Sequence, residues 1–421
     1  MNTVAAAPAT SKVSIRRSRI IGIVFIVLGA AAAWWFGFGS EPGLSSTFGL
    51  NARGTSFEIP DLVLPSRPTA LLLATICAFL GAIQLTRGFG KRASLVLAVV
   101  IGCFILAFLI WAARDDSLNL LRMLQSTLLR SVPITLGALA GVLCERSGVI
   151  NIAIEGMMLT AAFMGALIGS AAGNIWIGLL LGILSGGLLG ALLAVLSIRY
   201  RVDQIIGGTV INILALGLTS FLSAQILTQY QNLNNPGRFP VVRIPLLSEI
   251  PIIGPLLFTN NIFIYLMFAL VIGINIALFR SRWGLRVRAV GEHPKAADTV
   301  GIKVLGVRYW NVILGGMVAG LAGAYFTLGS VGRFDENMTG GRGFIALAAM
   351  IFGRYNPVGA FGAALVFGFA DSLQNNLAIL QVPIASEFLL MAPYIATILV
   401  VAGLVGRARP PVADGLPYIK E

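Results

Sequence analysis

The stretch IWIGLLLGILSGGLLGALLAVLSI, residues Ile175–Ile198, decides the fold class of this chain. It runs for 24 residues without a charged side chain. An α-helix rises about 1.5 Å per residue, so a helix of this length crosses the roughly 30 Å hydrocarbon core of a lipid bilayer. Its glycines allow the close approach of a neighbouring helix, which is how helices associate in lipid. The sequence therefore predicts a membrane-spanning helix here.

Eleven further apolar runs flank this stretch. Phe344–Gly353 is too short to cross a bilayer untilted, and Leu121–Cys144 contains Arg122, Arg130 and Pro133, so we expect its first part to lie along the interface. The chain is predicted to be all-α, a polytopic integral membrane helical bundle of about 10–12 transmembrane or re-entrant helices. The other runs are Ile20–Phe38, Pro68–Leu85, Ser94–Ala113, Val149–Ala171, Ile205–Gln225, Ile262–Phe279, Tyr309–Ser330, Val358–Asn375 and Phe388–Val405.

The composition of the whole chain fits a lipid environment. Apolar residues make up 57% of the 421 residues, charged residues make up 11%, and the mean hydropathy is +0.89. A soluble domain has about 25% charged residues. The run Ile20–Phe38 follows the basic stretch Lys12–Arg19 but is long enough to span and lacks an Ala-x-Ala cleavage site, so we expect a retained first helix and not a cleaved signal.

Basic residues predict the orientation of the chain. There are 30 Lys and Arg against 17 Asp and Glu, a net charge of +13, and they lie in the gaps between apolar runs. With the N-terminus inside, 21 basic residues face the cytoplasm and 9 face the other side. The positive-inside rule then places both termini in the cytoplasm. No basic-aromatic surface suited to nucleic acid accompanies them, so no nucleic-acid partner is expected.

Residue patterns of ATP-hydrolysing and metal-dependent enzymes are missing from the sequence. The only Gly-Lys pair, Gly90-Lys91, is followed by Arg92, so the phosphate-binding loop that ends in Gly-Lys-Ser/Thr is absent. A single histidine, His293, and three cysteines without paired spacing provide neither a metal site nor a disulfide framework. We therefore expect a chain that is not an enzyme and that binds no cofactor or metal.

A short helix is predicted within the basic loop WGLRVRAVGEHPKAADTVGIKV, residues Trp283–Val304. Pro294 suits a first helical turn, Ala296 and Ala297 form a small smooth face, and Gly301 permits a left-handed end. Such a helix suits docking into a groove on another protein. It equally suits a solvated connector whose arginines bind anionic lipid headgroups. The pattern alone leaves both interpretations open.

Polar side chains within the apolar runs mark a candidate pathway for a hydroxylated substrate. A charge at the bilayer centre costs roughly 2.5–3.5 kcal/mol on insertion scales, so it faces a cavity or a partner. For Glu155 a structural ion pair with Arg146 or Arg342 is favoured over a lining role, whereas for Asn212 and Gln374 both interpretations stay open. The predicted pathway residues are Asn151, Glu155, Asn212, Asp371, Gln374 and Asn375.

A weak internal similarity suggests a possible inverted repeat. Ile150–Ala166 and the segment Asn337–Gly353 align when Gly156 is matched with Gly343. In the predicted topology the two segments run in opposite directions, as the repeats of many transporters do. Helices rich in glycine and alanine also match by chance, so both interpretations stay open.

Three blocks resemble the ABC importer permeases of the ribose, branched-chain amino acid and nucleoside group. They are GVLCERSGVINIAIEGMMLTAAFMGAL (Gly141–Leu167), LRVRAVGEHPKAADTVGI (Leu285–Ile302) and GGRGFIALAAMIFGRYNPVGAFGAALVFG (Gly340–Gly368). The similarity spans roughly residues 126–405 and is closest to nucleoside permeases of the guanosine/uridine type.

The resemblance implies a division of the chain and a set of residue roles. Residues 1–19 and 406–421 become cytoplasmic tails, 20–120 an N-terminal extension of three helices, and 121–405 the permease core with a cytoplasmic coupling loop at 280–308. The polar loop Gln225–Asn261 becomes a candidate receptor contact on the outside. The ATPase-coupling helix comprises Glu292, Pro294, Lys295, Ala296, Ala297 and Gly301.

The same resemblance implies partners and a mechanism. A second permease subunit, often non-identical, pairs with the first in the bacterial inner membrane. ABC ATPase subunits, which use ATP and Mg, drive alternating access, and a substrate-binding protein or lipoprotein delivers the nucleoside or related sugar. Alternatives are ribose or branched-chain amino acids as substrate, an ion-coupled secondary transporter with Glu155 or Asp371 as the coupling carboxylate, and a membrane scaffold that transports nothing.

Overall fold

The computed structural model of the chain describes residues 10–51, 59–380 and 409–420, together with residues 382, 388 and 391. The chain divides into two compact units. The first comprises residues 1–122 with 375–383, and the second comprises residues 123–374 with 384–421. The predicted helix Phe388–Val405 lies outside the described residues, apart from the two single positions within it.

Within its described residues, the first unit contains three apolar helices and a small sheet. Its helices are α1 (Thr10–Ala31), which a π-helical turn extends to Phe38, α2 (Ser66–Thr86) and α3 (Ala93–Ala112). Helix α1 begins before the predicted Ile20, because the basic stretch ahead of the apolar run is itself helical from Thr10 onward. Strand β1 (Ser45–Gly49) pairs antiparallel with β2 (Leu62–Pro65) and parallel with β3 (Ser117–Asn119).

The described residues of the second unit form eleven helices and one pair of short strands. In chain order the elements are α4 (Leu120–Glu145), α5 (Ile154–Ala171), α6 (Ile175–Ala194), α7 (Gln204–Leu222), β4 (Val241–Arg243), α8 (Ile253–Leu257), β5 (Thr259–Asn261), α9 (Ile262–Arg280), α10 (Arg282–Glu292), α11 (Pro294–Thr299), α12 (Val304–Ala324), α13 (Arg342–Phe352) and α14 (Pro357–Ile379). Strand β4 pairs antiparallel with β5. The first three residues of α4 and the last five of α14 are assigned to the first unit.

Nine helices in the described part of the chain are long and apolar enough to cross a membrane. This confirms the prediction of a polytopic helical membrane protein. Helix α13 has only 11 residues, as the short run at Phe344–Gly353 predicted. π-Helical turns lengthen α6, α7 and α12 to Arg199, Leu227 and Val331, respectively.

Helix α4 is one continuous helix through Pro133. The expectation that its first part lies along the interface stays a prediction. The start of α5 differs from the prediction. Helix α5 begins at Ile154 and not at Val149, because residues 149–153 are non-helical. This segment is apolar because it lies in the protein interior, where Val149 and Ala153 are fully buried.

Helices α6 and α12 pack through glycines. A Cβ atom placed on Gly186 would come within 2.5 Å of the Gly316 carbonyl oxygen, and one on Gly190 would come within 2.8 Å of the Val312 carbonyl oxygen. The two backbones therefore approach as closely as small residues permit in a membrane. A side chain at either glycine would force these helices apart.

Candidate functional site

The carboxylate of Glu155 lies in the first turn of α5 and caps the start of α13. It accepts hydrogen bonds from Thr339 Oγ1 at 2.6 Å, from the Gly341 backbone nitrogen at 2.8 Å and from the Gly343 backbone nitrogen at 2.6 Å. Glu155 is 8% exposed. The first N–H groups of a helix lack partners within the helix and carry partial positive charge, so they stabilise a carboxylate.

The prediction that Glu155 forms an ion pair with Arg146 or Arg342 is wrong. Arg146 instead donates to the Tyr355 carbonyl oxygen at 2.9 Å, and Arg342 pairs with Asp371. The sequence favoured an arginine because a buried carboxylate calls for a cation. The backbone donors of a helix N-terminus meet the same need, and they leave no mark in a sequence.

Helices α5 and α13 both begin deep within the bundle. A Cβ atom on Gly137 would lie 2.7 Å from Ala346 Cβ and 3.4 Å from Ile154 Cγ2. Gly137 is eight residues before the end of α4 at Glu145, which is about 12 Å along the helix axis. The two segments that the possible inverted repeat would relate are therefore in contact, with Gly343 directly against Glu155. Their relation as a repeat stays a prediction.

Two of the predicted pathway asparagines hold the non-helical segment ahead of α5. Asn212 on α7 accepts a hydrogen bond from the Gly156 nitrogen at 2.8 Å and donates to the Ile152 carbonyl oxygen at 2.9 Å. Asn151 is fully buried, and its side-chain oxygen accepts from the Ala153 nitrogen at 3.1 Å. Both amides therefore position the start of α5.

Gln204 performs the same task, although the sequence gave no sign of it. Its side-chain oxygen accepts a hydrogen bond from the Ile150 nitrogen at 2.7 Å. Gln204 is the first residue of α7 and is 5% exposed. The buried backbone around Ile150 thus finds its partner on a different helix, which satisfies the need of buried polar groups for hydrogen bonds.

A cluster of three charged residues lies far from the ends of α4. Asp371 on α14 contacts Arg130 Nη1 at 2.8 Å and Arg342 Nη2 at 3.5 Å, and these side chains are 25–30% exposed. The Arg342 guanidinium lies over the ring of Phe326, 5.7 Å from its centroid. Arg130 is fifteen residues before Glu145, about 22 Å along α4. The two arginines were not among the predicted pathway residues, because each looked like an interfacial anchor or a partner for Glu155.

The last two predicted pathway residues follow Asp371 on α14. Gln374 is half-buried and lies one helical turn from Asp371. Asn375 is exposed and belongs to the first compact unit. Together Arg130, Arg342 and Asp371 carry one net positive charge and several hydrogen-bond donors. Charged groups within membrane-spanning helices face a water-filled cavity or a partner.

The predicted short helix in the basic loop is present as α11. Pro294 occupies its first turn, and Gly301 has a φ of +83° two residues after its end. Helix α10 precedes it, so the loop contains two short helices in place of one. Glu292 and Lys295 are exposed.

The two alanines of α11 face different surroundings. Ala296 is exposed, whereas Ala297 is 3% exposed and packs against Val290, Val304 and Tyr418. The expectation that Ala296 and Ala297 form one smooth docking face is therefore wrong for Ala297. A spacing of one residue turns the side chain by about 100° around a helix, so neighbours rarely share a face.

Comparisons with known proteins match most of the chain. Residues 123–402 match the family described as the permease component of the branched-chain amino acid transport system. The guanosine ABC transporter permease protein NupQ of Bacillus subtilis is 41% identical over 306 residues, covering 70% of this chain and 95% of the relative.

Two further relatives cover the same share of this chain. The nucleoside ABC transporter permease protein NupC of Lactococcus lactis is 38% identical over 95% of its own length. A putative glucose ABC transporter permease protein of Haloferax volcanii is 32% identical over 88% of its length. No solved structure matches the chain significantly. The match to the family model and the coverage of these relatives show that the chain belongs to this family of transport-system permease components.

Proposed function

We propose that the chain is the membrane-spanning permease subunit of a bacterial ABC importer for nucleosides or related sugars. The similarity to a guanosine permease and a nucleoside permease, each matched over 95% of its length, carries the substrate class. The weaker similarity to a putative glucose permease supports the inclusion of sugars. Both classes of substrate present sugar hydroxyl groups, because a nucleoside is a base attached to a sugar.

The proposed energy source is a separate ABC ATPase that uses ATP and Mg. In this proposal the loop 280–308 faces the cytoplasm, which agrees with the 21 of 30 basic residues that the sequence assigns to that side. The exposed residues Glu292, Lys295 and Ala296 of the α10–α11 region then meet the ATPase. Both termini lie in the cytoplasm, and the permease lies in the inner membrane.

Two further partners complete the proposed importer. A second permease subunit, non-identical to this one, shares the pathway. A substrate-binding protein or lipoprotein delivers the substrate on the opposite side, where the region around β4 and β5 exposes apolar side chains such as Leu246 and Val241. Exposed apolar side chains in a polar loop suit a protein contact.

The proposed pathway passes the cluster of Arg130, Asp371 and Arg342. A guanidinium presents several N–H donors in a fixed fork, which match the carbonyl groups of a base and the hydroxyl groups of ribose. Asp371 neutralises one of the two positive charges and itself accepts hydrogen bonds. The guanidinium of Arg342 packs over the ring of Phe326, which is itself buried. This chemistry suits a neutral, polar substrate.

Uptake by the reconstituted importer tests the substrate class. The complete complex, with its ATPase and binding protein, is placed in proteoliposomes and supplied with ATP and labelled guanosine, uridine, ribose or leucine. We expect the nucleosides to be taken up and to compete with each other. Uptake of leucine with no uptake of nucleosides would overturn the assignment.

A further inference from the structure

The C-terminal segment of residues 409–420, here called the strap, returns to the helices of the proposed coupling region. Its strongest attachment is to Arg308 in α12, which is 2% exposed. Arg308 donates hydrogen bonds to the Leu416 carbonyl oxygen at 2.8 Å and to the Ala413 carbonyl oxygen at 3.4 Å. If the strap left, the buried guanidinium would lose these two acceptors, and the free-energy cost of its burial would no longer be offset by hydrogen bonds. Arg308 therefore favours the docked position of the strap.

The strap also binds the end of α10. The Ala413 backbone nitrogen donates to the Gly291 carbonyl oxygen at 2.9 Å, and the Val412 nitrogen donates to Glu292 Oε2 at 3.3 Å. Gly291 and Glu292 end α10, where carbonyl groups lack partners within the helix. The strap supplies a donor to one of them.

Helix α11 meets the strap at Tyr418. This side chain is 8% exposed and packs in one apolar cluster with Val290, Ala297 and Val304. Lys420 reaches Asp298 of α11 at 4.0 Å. The inner face of the short helix that presents Ala296 outward therefore rests on the strap.

The strap's other side contacts the turn between α4 and α5. A Cβ atom on Gly148 would lie 3.1 Å from the Ala413 carbonyl oxygen, and one on Gly415 would lie 2.8 Å from Ile150 Cδ1. Asp414 lies beside Glu145 at the end of α4. This turn continues into the segment that Asn151, Asn212 and Gln204 hold, and then into Glu155.

We propose that the strap is a mechanical link between the coupling helices α10 and α11 and the turn that leads into α5. A displacement of α11 moves Tyr418 and Ala413, then the turn at residues 148–150, and so reaches Glu155 and the start of α13. The proposal rests on the proposed function, in which an ATPase moves α11. It assigns a role in energy coupling to a segment that looks like a terminal tail in the sequence.

One direct contact already joins α10 to this turn, and the strap adds to it. A Cβ atom on Gly291 would clash with the Arg146 carbonyl oxygen, so α10 touches the turn without help. Helix α11, which carries the exposed Ala296, shares its apolar cluster with the strap residue Tyr418. Removal of the strap contact should therefore weaken coupling without abolishing assembly.

The test uses Tyr418→Ala in the complete importer, with Ile419→Ala as the matched control. Ile419 is the next residue of the strap and is 52% exposed, so its truncation removes a side chain of similar apolar character without touching the cluster. Uptake per ATP hydrolysed, basal ATPase rate and co-purification of the ATPase are measured in proteoliposomes. For Tyr418→Ala we expect normal assembly and basal ATPase rate with at least about a fivefold loss of uptake per ATP, the lower end of typical coupling between sites.

Two further variants keep the inference falsifiable. Tyr418→Phe, which retains the ring against Ala297, should restore coupling, and removal of residues 410–421 should reproduce the loss. Wild-type uptake per ATP in both Tyr418→Ala and the truncated chain would overturn the link. Loss of ATPase co-purification would also overturn it, since the strap would then be a docking surface. If the wild-type complex showed no ATP-driven uptake, the proposed function would fail first and the link with it.

Discussion

Glu155 brings a negative charge into a membrane-spanning helix, and the loop before α13 together with the first turn of α13 offsets the cost of its burial. Its three hydrogen bonds come from Thr339, Gly341 and Gly343. Hydrogen bonds to a charged group contribute about 1.5–3 kcal/mol each when the alternative is an unmet partner. The residue therefore fixes the position at which α13 begins.

Glu155→Gln should destabilise the start of α13. The amide retains one oxygen, but its NH₂ group cannot accept from the backbone N–H groups that face the carboxylate, and about 1.5–3 kcal/mol should be lost. A lower thermal unfolding temperature of the purified chain in detergent checks this. Glu336→Gln, at an exposed position of the preceding loop, should leave the unfolding temperature unchanged. Equal stability of both variants would contradict the capping role.

Arg130 and Asp371 provide a test that separates a structural ion pair from a substrate contact. Asp371→Asn should lower nucleoside uptake by about tenfold or more, equivalent to roughly 1.4 kcal/mol of lost interaction. The exchange Arg130→Asp with Asp371→Arg keeps one acid and two bases in the cluster. We expect the exchanged chain to fold normally, as measured by gel filtration. We expect its nucleoside uptake to stay low. Recovery of uptake in the exchanged chain would show that the cluster is structural only.

Residues of the candidate site differ in how far the sequence revealed them. Glu155 and Asp371 stood out because charges in apolar runs are rare. Arg130 and Arg342 did not, since arginines also anchor helix ends, and Gln204 did not because its partner is a backbone group of a remote segment. Residue type signals a cost of burial, whereas the partner that meets this cost depends on the fold.

At the scale of elements, the apolar runs predicted the helices well because each of them must satisfy its own backbone in lipid. The start of α5 was wrong for a specific reason. Residues 149–153 are as apolar as a helix, but Asn151, Asn212 and Gln204 provide the hydrogen bonds that the backbone would otherwise find in a helical turn. Hydrogen bonds from side chains of the same segment and of α7 thus take the place of the helical hydrogen bonds that the apolar pattern predicted. The division of the chain into tails, extension and core stays a prediction.

Helix α11 should respond differently to bulky substitutions at its two alanines. Ala296→Trp extends an exposed face and should leave the stability of the chain unchanged while it lowers stimulation of the ATPase by loaded binding protein. Ala297→Trp fills a buried position against Val290 and Tyr418, and overpacking should cost about 1–3 kcal/mol of stability. Unfolding temperature and ATPase stimulation are measured together. Normal stimulation in Ala296→Trp would contradict a docking role for the exposed face.

The strap should detach more readily as pH rises. Burial raises the pKa of Asp414 from 3.8 to about 6, although Glu145 and Arg308 beside it act in the opposite direction. A raised carboxyl pKa means that the docked strap binds the proton more tightly than the released strap. The stabilisation is therefore complete below pH 3.8 and is lost as pH rises through about 6.

Thiol labelling of Ala413→Cys at pH 5 and pH 7 measures this detachment. Ala413 is buried, and Val412→Cys at the exposed neighbouring position corrects for the pH dependence of the labelling reaction itself. We expect the corrected labelling to increase at pH 7, and to lose this increase when Asp414→Asn is added. A pH-dependent increase that persists with Asp414→Asn would assign the effect to another group.

At the scale of the whole molecule, the family match covers residues 123–402 and leaves the three helices of the first unit outside it. The membrane-spanning architecture followed from the length of the apolar runs alone. The transport role was predicted only from the resemblance of three blocks to known permeases. Apolar membrane-spanning helices have similar sequences in proteins of different function, so they do not indicate what is transported. The packing of the strap against the helices could not be predicted from the sequence, because a short terminal segment has no periodic pattern that indicates a docked position.

Nucleoside uptake by proteoliposomes that contain either the purified chain alone or the complete complex tests the central claim most directly. The account predicts guanosine uptake only when the ATPase subunits and ATP are present, and uptake that continues after ionophores have removed the proton and sodium gradients. Hydrolysis of ATP by the chain alone, or guanosine uptake by the chain alone that follows an ion gradient, would contradict it.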